Sequence, residues 1–465
     1  MRGPIEWIRT RGSLRSLSRW LFLATIIAAP WFYGGTTAWA IELTNGLLGL
    51  VLVFWAASLV VDWRRPMVPR SLVIIAGVIL VLGWWMALNA HGVYDTTFRI
   101  FVPVKPIVPQ LAGSSDYVLS CAMMVRVTLL LGAFMFVTEM VQRPRWLLRL
   151  WSALAISGGA IALLGLLQKA SHAPMIFWQY APPAMHFTST FFASFYYHAN
   201  AGAFLNLVLP AVIGLTAWMI SRSEQRVARG LLAGTAIIVV LAIVSNTSRM
   251  AQIVGGVLIL ALLATVLRPL IARAVRGDKK KLALGAIIVA IVIVAVAQAT
   301  HLDQPLLRWR QLAKQLPVDE RWAANRTALT AVGDAGAFGF GPGVFRSIFP
   351  HYQQLAGQHP RGTWRFLHDD YLQTLLEWGW VGALALGALF FGGIAFAVRN
   401  YLRAEDWSNR QRILLLCSLL ALGGVAVHAA VDFPLQIFSI QLFVATYLGI
   451  CWGSCAWERR RKSKG

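Results

Sequence analysis

The chain has 465 residues, of which 58% are hydrophobic and only 13% charged, whereas a soluble protein carries about a quarter charged residues. This composition predicts an all-α integral membrane protein and excludes a set of soluble globular domains. The net charge of +23 would indicate nucleic acid binding in a soluble protein. Here the basic residues cluster in short segments between apolar runs, so we expect membrane lipids and no nucleic acid as partners.

The chain in order begins with a basic N-terminus and continues with about twelve apolar runs long enough to cross ~30 Å of hydrocarbon. Of the 42 Lys and Arg residues, 29 fall in segments on one side of these runs and 12 on the other. Because cytoplasmic loops are enriched in basic residues, both termini are predicted to be cytoplasmic. The runs lie near residues 20–36, 41–61, 71–90, 117–138, 147–168, 199–221, 229–245, 250–270, 282–300, 376–398, 412–431 and 434–456.

This pattern predicts five regions. They are a basic cytoplasmic N-terminus (1–19), transmembrane helices 1–9 (20–300), a large periplasmic loop (301–375), transmembrane helices 10–12 (376–456) and a basic cytoplasmic tail (457–465). The histidines fall in outer segments or near outer ends of spans, so acid–base chemistry is expected to face the periplasm or the exterior. A loop as long as the third region is usually functional or folded, and Asp319 is predicted to cap a helix that runs through Val332.

A polar group stands directly before the tenth span, within residues 361–382. If this stretch is helical from about His368, then Asp369, Gln373 and Glu377 form one polar stripe. One interpretation is a functional site, because polar groups are costly at a membrane boundary. The other is a solvated helix start, where Asp369 and Asp370 favour the positive end of the helix dipole.

Three features outside this stretch are further candidates. Arg249 ends a short outer turn, where it is suited to grip a lipid diphosphate or to anchor the helix at the interface. Arg126 lies within the fourth span, which marks it as functional or as a partner of Asp432 or another acid. The aromatic segment 169–198 is expected to form an interfacial belt or to stack on sugar rings.

The long loop also carries Arg321 and Arg326, followed by a glycine-rich segment, residues 339–345. Such glycines form a plain turn or let backbone N–H groups approach phosphate. The chain has no HExxH or CxxC spacing, and the adjacent Asp369 and Asp370 would diverge by about 100° on a helix. We therefore expect no metal and no cofactor, and we expect arginines to neutralise any diphosphate.

Taken together, these residues resemble the O-antigen ligase/polymerase superfamily of bacterial inner-membrane glycosyltransferases. The strongest match is the segment HDDYLQTLLEWGWVG, which begins at His368 and resembles the family pattern His-Asn-x-x-Leu-Gln…Glu-x-Gly-x-x-Gly, with Asp369 where Asn is common. Weaker matches are found at Arg321, the glycine-rich segment, Asn200, the turn before Arg249 and the segment VHAAVDFP, which contains Asp432.

The resemblance implies glycan transfer on the periplasmic face from undecaprenyl diphosphate to lipid A-core or to a glycan repeat unit. We expect His368 to act as the general base, Arg249 with Arg321 or Arg326 to bind the diphosphate, and the polar stripe, with Asn200, to orient the base or bind sugar. Ligase, polymerase and protein O-oligosaccharyltransferase remain alternatives within this class. A lipid or sugar transporter is the alternative from another class, and it predicts inverted repeats around a midplane site.

Overall fold

In the computed structural model the protein is predominantly helical. The structure describes residues 4–98, 100–179, 191–220, 226–276, 303–356, 360, 362–404 and 407–457, together with single positions between 283 and 300. The helices in chain order are α1 (Pro4–Ala28), α2 (Ala38–Val61), α3 (Arg70–Leu88), α4 (Tyr117–Met140), α5 (Pro144–Ala170), α6 (His198–Ile220), α7 (Arg226–Ser245), α8 (Arg249–Leu262), α9 (Arg268–Val275), α10 (Asp303–Arg310), α11 (Leu312–Gln315), α12 (Glu320–Ala335), α13 (Phe345–Leu355), α14 (Asp370–Arg403), α15 (Asn409–Ala429) and α16 (Phe438–Gly453).

The described part of the chain contains nine helices that are long and apolar enough to cross a membrane. They are α2 to α7, the run Arg249–Ala272 that begins with α8, α14 and α15. The first and last predicted spans correspond to α1 and to the shorter apolar helix α16. The ninth predicted span, residues 282–300, lies mostly outside the described residues. The chain is therefore a multi-pass helical membrane protein.

The first helix differs from its predicted span, residues 20–36. It begins at Pro4, within the region predicted as a basic N-terminal segment, and it ends at Ala28. Two short 3-10 turns follow, and Gly34 and Gly35 both adopt positive φ angles there. A Cβ atom on Gly34 would lie 2.5 Å from the Phe195 ring. This close approach, together with Pro30, explains why the helix stops before the apolar run does.

Helix α6 is the centre of the bundle, because nearly every residue from His198 to Met219 is buried. It packs against α5, α7, α8 and α15. Small residues allow this close packing: a Cβ atom on Gly202 would lie 2.3 Å from the Cβ atom of Ala251 in α8. The N-terminal end of α6 is thereby fixed beside the turn that begins α8.

The described residues between Asp303 and Asp369 are folded, as the sequence predicts. Asp319 caps α12, and its side chain accepts a hydrogen bond from the Arg321 N–H. Four alanines on one face of α12 pack with residues of α13 and with Leu376 of α14 in a second hydrophobic core. The connection between α3 and α4 forms a two-stranded antiparallel hairpin, β1 (Gly92–Asp95) and β2 (Ile100–Pro103), which the sequence analysis did not predict.

Candidate active site

A histidine–aspartate pair lies where α14 begins and α15 ends. His368 Nδ1 is 2.9 Å from Asp432 Oδ1. The His368 side chain is 16% exposed, whereas Asp432 is buried. If Nδ1 carries the proton and donates a hydrogen bond to the carboxylate, Nε2 keeps a lone pair that can accept a proton. This arrangement suits a general base.

Burial alone raises the pKa of Asp432, but two neighbours outweigh that effect. The hydrogen bond and the charge of His368, together with the charge of Arg321, bring the pKa of Asp432 below its ordinary value of 3.8. Asp432 is therefore ionised at neutral pH. A buried carboxylate beside an imidazole stabilises the positive charge that the ring gains when it accepts a proton.

Aromatic rings hold the imidazole in place. The His368 ring centre lies 4.8 Å from that of Phe433, 5.4 Å from that of Trp364 and 6.0 Å from that of Tyr197. Tyr197 also stacks on Phe433, with ring centres 5.5 Å apart. These contacts restrict the ring orientation, so the position of Nε2 is set by packing as well as by Asp432.

Three arginines meet next to this pair. Arg321 Nη2 donates a hydrogen bond to the Tyr197 hydroxyl at 2.6 Å. Arg308 Nη1 lies 2.9 Å from Nε2 of His198, the residue after Tyr197. Arg249 Nη2 donates to the Arg308 carbonyl oxygen at 2.7 Å. We call Arg249, Arg308 and Arg321 the arginine cluster. Its positive charge and its N–H groups are suited to a diphosphate.

The sequence analysis did not single out Arg308. It lies in the last turn of α10 together with Arg310, and neither its spacing nor its neighbours distinguish it from other basic residues of the loop. From the sequence, Tyr197 was included only in the aromatic segment 169–198. His198 was included there and among the histidines near the outer ends of spans. Their roles depend on long-range contacts, since His198 and Arg308 are separated by 110 positions.

Hydrogen bonds from the polar stripe (Asp369, Gln373 and Glu377) support the backbone around His368. Gln373 Oε1 accepts a hydrogen bond from the Leu367 N–H at 2.9 Å, next to His368, and Gln373 Nε2 donates to Glu377 at 3.0 Å. Asp369 caps the helix by accepting from the Leu372 N–H, and burial raises the pKa of its carboxyl group. The helix begins at Asp370 rather than at His368.

Asp370 fixes the distance between the two members of the pair. Its buried carboxylate accepts hydrogen bonds from the Leu435 N–H and from Gln436 Nε2, both at 2.8 Å. Asp370 lies two positions after His368, and Leu435 and Gln436 lie just after Asp432. These hydrogen bonds therefore connect the two segments that carry the pair. The sequence analysis assigned Asp370 only to the helix dipole and missed this positioning contact.

The glycine-rich segment forms a turn that packs on α14. Glu377 accepts the N–H groups of Gly343 at 3.0 Å and of Phe345 at 3.2 Å, and its carbonyl oxygen accepts that of Gly341 at 2.9 Å. These N–H groups are used within the protein. The contacts favour the plain turn over the phosphate cradle, the two alternatives that the sequence left open.

Close backbone approach to the segment before the glycine-rich turn explains Gly379, a non-helical position within α14. It has φ 59°, and a Cβ atom there would lie 2.4 Å from the carbonyl oxygen of Ala337. A residue with a side chain would be strained in this conformation and would also clash.

The remaining candidates lie at different distances from the pair. Asn200 is buried in the first turn of α6, two residues after His198, and its Oδ1 has no hydrogen-bond partner among the described residues. Arg126 places its guanidinium 5.1 Å from the centre of the Phe438 ring. Among the described residues Arg126 forms no ion pair with Asp432, and the carboxylate that interacts with its charge is that of Glu377. Arg326 lies on the side of α12 that lines an adjoining cavity.

The fold and the site define a class: a multi-pass helical membrane protein with a histidine–aspartate pair and an arginine cluster at one end of its bundle. A protein-family model described as O-antigen ligase matches residues 234–387. The matched segment contains His368, the polar stripe and all three residues of the arginine cluster. It confirms the resemblance to the O-antigen ligase/polymerase superfamily. No curated protein matches the chain.

Proposed function

We propose that the protein is an inverting, metal-independent glycosyltransferase that moves a glycan from undecaprenyl diphosphate to a saccharide acceptor on the periplasmic face of the bacterial inner membrane. The family match supports glycosyl transfer of the O-antigen ligase type. The observation that carries the proposal is the contact between His368 and Asp432 beside the arginine cluster. In this proposal His368 is the base, and the neighbouring arginine cluster is the binding site for the anionic leaving group.

In the proposed reaction, His368 Nε2 removes the proton of an acceptor hydroxyl group. The acceptor oxygen attacks the anomeric carbon of the donor sugar, and the bond between that carbon and the diphosphate oxygen breaks. The diphosphate leaves with both bonding electrons, and the arginine cluster stabilises its charge. Asp432 stabilises the imidazolium that forms. Attack opposite the leaving group inverts the anomeric centre.

Arg249 and Arg321 keep the role that the sequence analysis assigned to them, and Arg308 joins them. Arg308 contacts His198 and the carbonyl oxygen of Thr247, and its own carbonyl oxygen binds Arg249. Gln373 and Glu377 act in this proposal as positioning residues, since their hydrogen bonds go to the backbone around His368 and to the glycine-rich turn.

The test is complementation of a deletion strain with wild-type protein or with His368→Ala. We expect the variant to reach normal abundance in the membrane and to yield no glycan product. Normal product from His368→Ala would contradict the catalytic assignment. The wild-type comparison also separates the possible acceptors: undecorated lipid A-core in the deletion strain indicates a ligase, and core that carries a single repeat unit indicates a polymerase. A missing glycan on Ser or Thr of a protein indicates a protein O-oligosaccharyltransferase.

A further inference from the structure

A cavity beside the arginine cluster is lined by one face of α12. It has a volume of about 850 Å³, within the ~300–1,000 Å³ range of ligand-binding clefts. Its lining includes Asp319, Glu320, Trp322, Arg326 and Asp334 from α12 and its cap, with part of α13 opposite. We call this cavity the α12 groove.

The two faces of α12 differ in chemistry. The alanines of one face are buried against α13 and α14, and they account for the packing of the helix. The groove face carries acidic, basic, hydroxyl and aromatic side chains. Trp322 is 56% exposed, although burial of so large a ring against the protein would be favourable. The groove face is therefore not required for packing α12 against the bundle.

The charge of the groove distinguishes it from the arginine cluster. Among the described residues that line the groove, Asp319, Glu320 and Asp334 contribute three carboxylates and Arg326 contributes one guanidinium. This balance is unfavourable for a diphosphate, which the arginine cluster suits. It is favourable for a ligand rich in hydroxyl groups, because carboxylates accept and Arg donates hydrogen bonds. An exposed indole ring offers an apolar face on which a sugar ring can stack.

Asp319 lines the groove and also lies beside the arginine cluster. Its Oδ1 lies 3.9 Å from Nε of Arg321, and Arg321 bonds to the Tyr197 hydroxyl. The Tyr197 ring is in turn 6.0 Å from the His368 ring, measured between centres. A ligand that extends along the groove to Asp319 therefore reaches the arginine cluster, and Arg321 and Tyr197 lie between that end of the groove and His368.

From these observations we infer that the α12 groove binds the acceptor saccharide and directs its reacting hydroxyl group toward His368. This inference rests on the proposed function. It moves Arg326 from the diphosphate to the acceptor, since Arg326 lines the groove and the arginine cluster is built from other residues.

The test measures binding to the full-length protein in lipid nanodiscs by isothermal titration calorimetry. Two probes are used: the oligosaccharide released from the host's lipid A-core and the oligosaccharide of its lipid-linked repeat unit. We expect the wild-type protein to bind one of them. Trp322→Ala and Asp334→Asn should each weaken that binding about tenfold, the effect of losing one favourable ligand contact. Asp334→Asn keeps an oxygen that can accept the Tyr352 hydroxyl, so the local fold is retained.

Trp63→Ala is the matched control, because Trp63 is 93% exposed and follows the opposite end of α2 from the site. Its binding should equal that of the wild-type protein. Wild-type affinity in both groove variants, or no binding of either probe to the wild-type protein, would overturn the inference. Transfer kinetics separate this result from the proposed function: groove variants should raise the acceptor KM and leave the donor KM unchanged. Should His368→Ala retain transfer while both groove variants lose binding, the groove assignment stands and the catalytic one falls.

Discussion

Replacement of Asp432 by Asn tests the pair at the centre of the site. The substitution keeps the shape of the side chain and removes its negative charge. Asp432 is buried and lies 2.9 Å from His368 Nδ1, so the contact is a charge-assisted hydrogen bond shielded from water. Such bonds contribute about 1.5–3 kcal/mol. If the charge acts mainly when His368 is protonated in the transition state, the rate of transfer should fall roughly 10- to 150-fold.

The assay is transfer by purified protein in proteoliposomes, with a lipid-linked glycan donor and a saccharide acceptor. We expect kcat to fall and the donor KM to change little, because Asp432 contacts the base and not the leaving group. Asp95→Asn serves as the matched control, since Asp95 lies in the exposed hairpin and binds the N–H groups of Thr97 and Phe98. A kcat within about twofold of wild type in Asp432→Asn would refute the reasoning, given that the expected loss is at least tenfold.

Three further predictions follow from the same contacts. Arg321→Lys should raise the donor KM about tenfold or more, because Lys cannot present the planar pair of donors that a diphosphate accepts; the measurement is initial rate against donor concentration. Glu377→Gln should lower the free energy of unfolding by about 1–3 kcal/mol, because the amide keeps one acceptor oxygen and places its NH2 group against the N–H of either Gly343 or Phe345; thermal unfolding in detergent checks it. The pKa of Asp432 lies below 3.8, so its charged form stabilises the fold above about pH 4 and this contribution is lost as pH falls through the folded-state pKa. The difference in melting temperature between wild type and Asp432→Asn should therefore shrink at low pH, and a difference that grows there would contradict the assignment.

Local sequence rules predicted the parts of the site that lie within one stretch of chain. Asp319 was identified as the cap of α12 because a carboxylate at that position satisfies a free N–H group. Asp369, Gln373 and Glu377 were placed on one stripe because helical spacing fixes it. The apolar runs predicted a multi-pass helical protein. They did not predict that α1 ends at Ala28, because that end depends on the conformation of the glycines that follow and on the close approach of Gly34 to Phe195.

The contacts between distant segments could not be predicted in this way. The sequence suggested Arg126 as one partner of Asp432. In the structure, Asp432 bonds to His368, which is 64 positions away. Arg308 reaches His198 across 110 positions. Hydropathy and helix periodicity do not show which polar side chains form hydrogen bonds with each other at the end of a bundle. These pairings follow from the packing of α6, α8, α14 and α15, and only the structure gives them.

The central claim is that His368 takes the proton of the acceptor while the arginine cluster holds the donor. The most direct measurement is single-turnover transfer by purified His368→Ala, together with equilibrium binding of the undecaprenyl-diphosphate donor. We expect donor binding to be retained within about threefold, since the arginines are unchanged, and glycosyl transfer to be lost. Transfer at the wild-type rate by His368→Ala would contradict it.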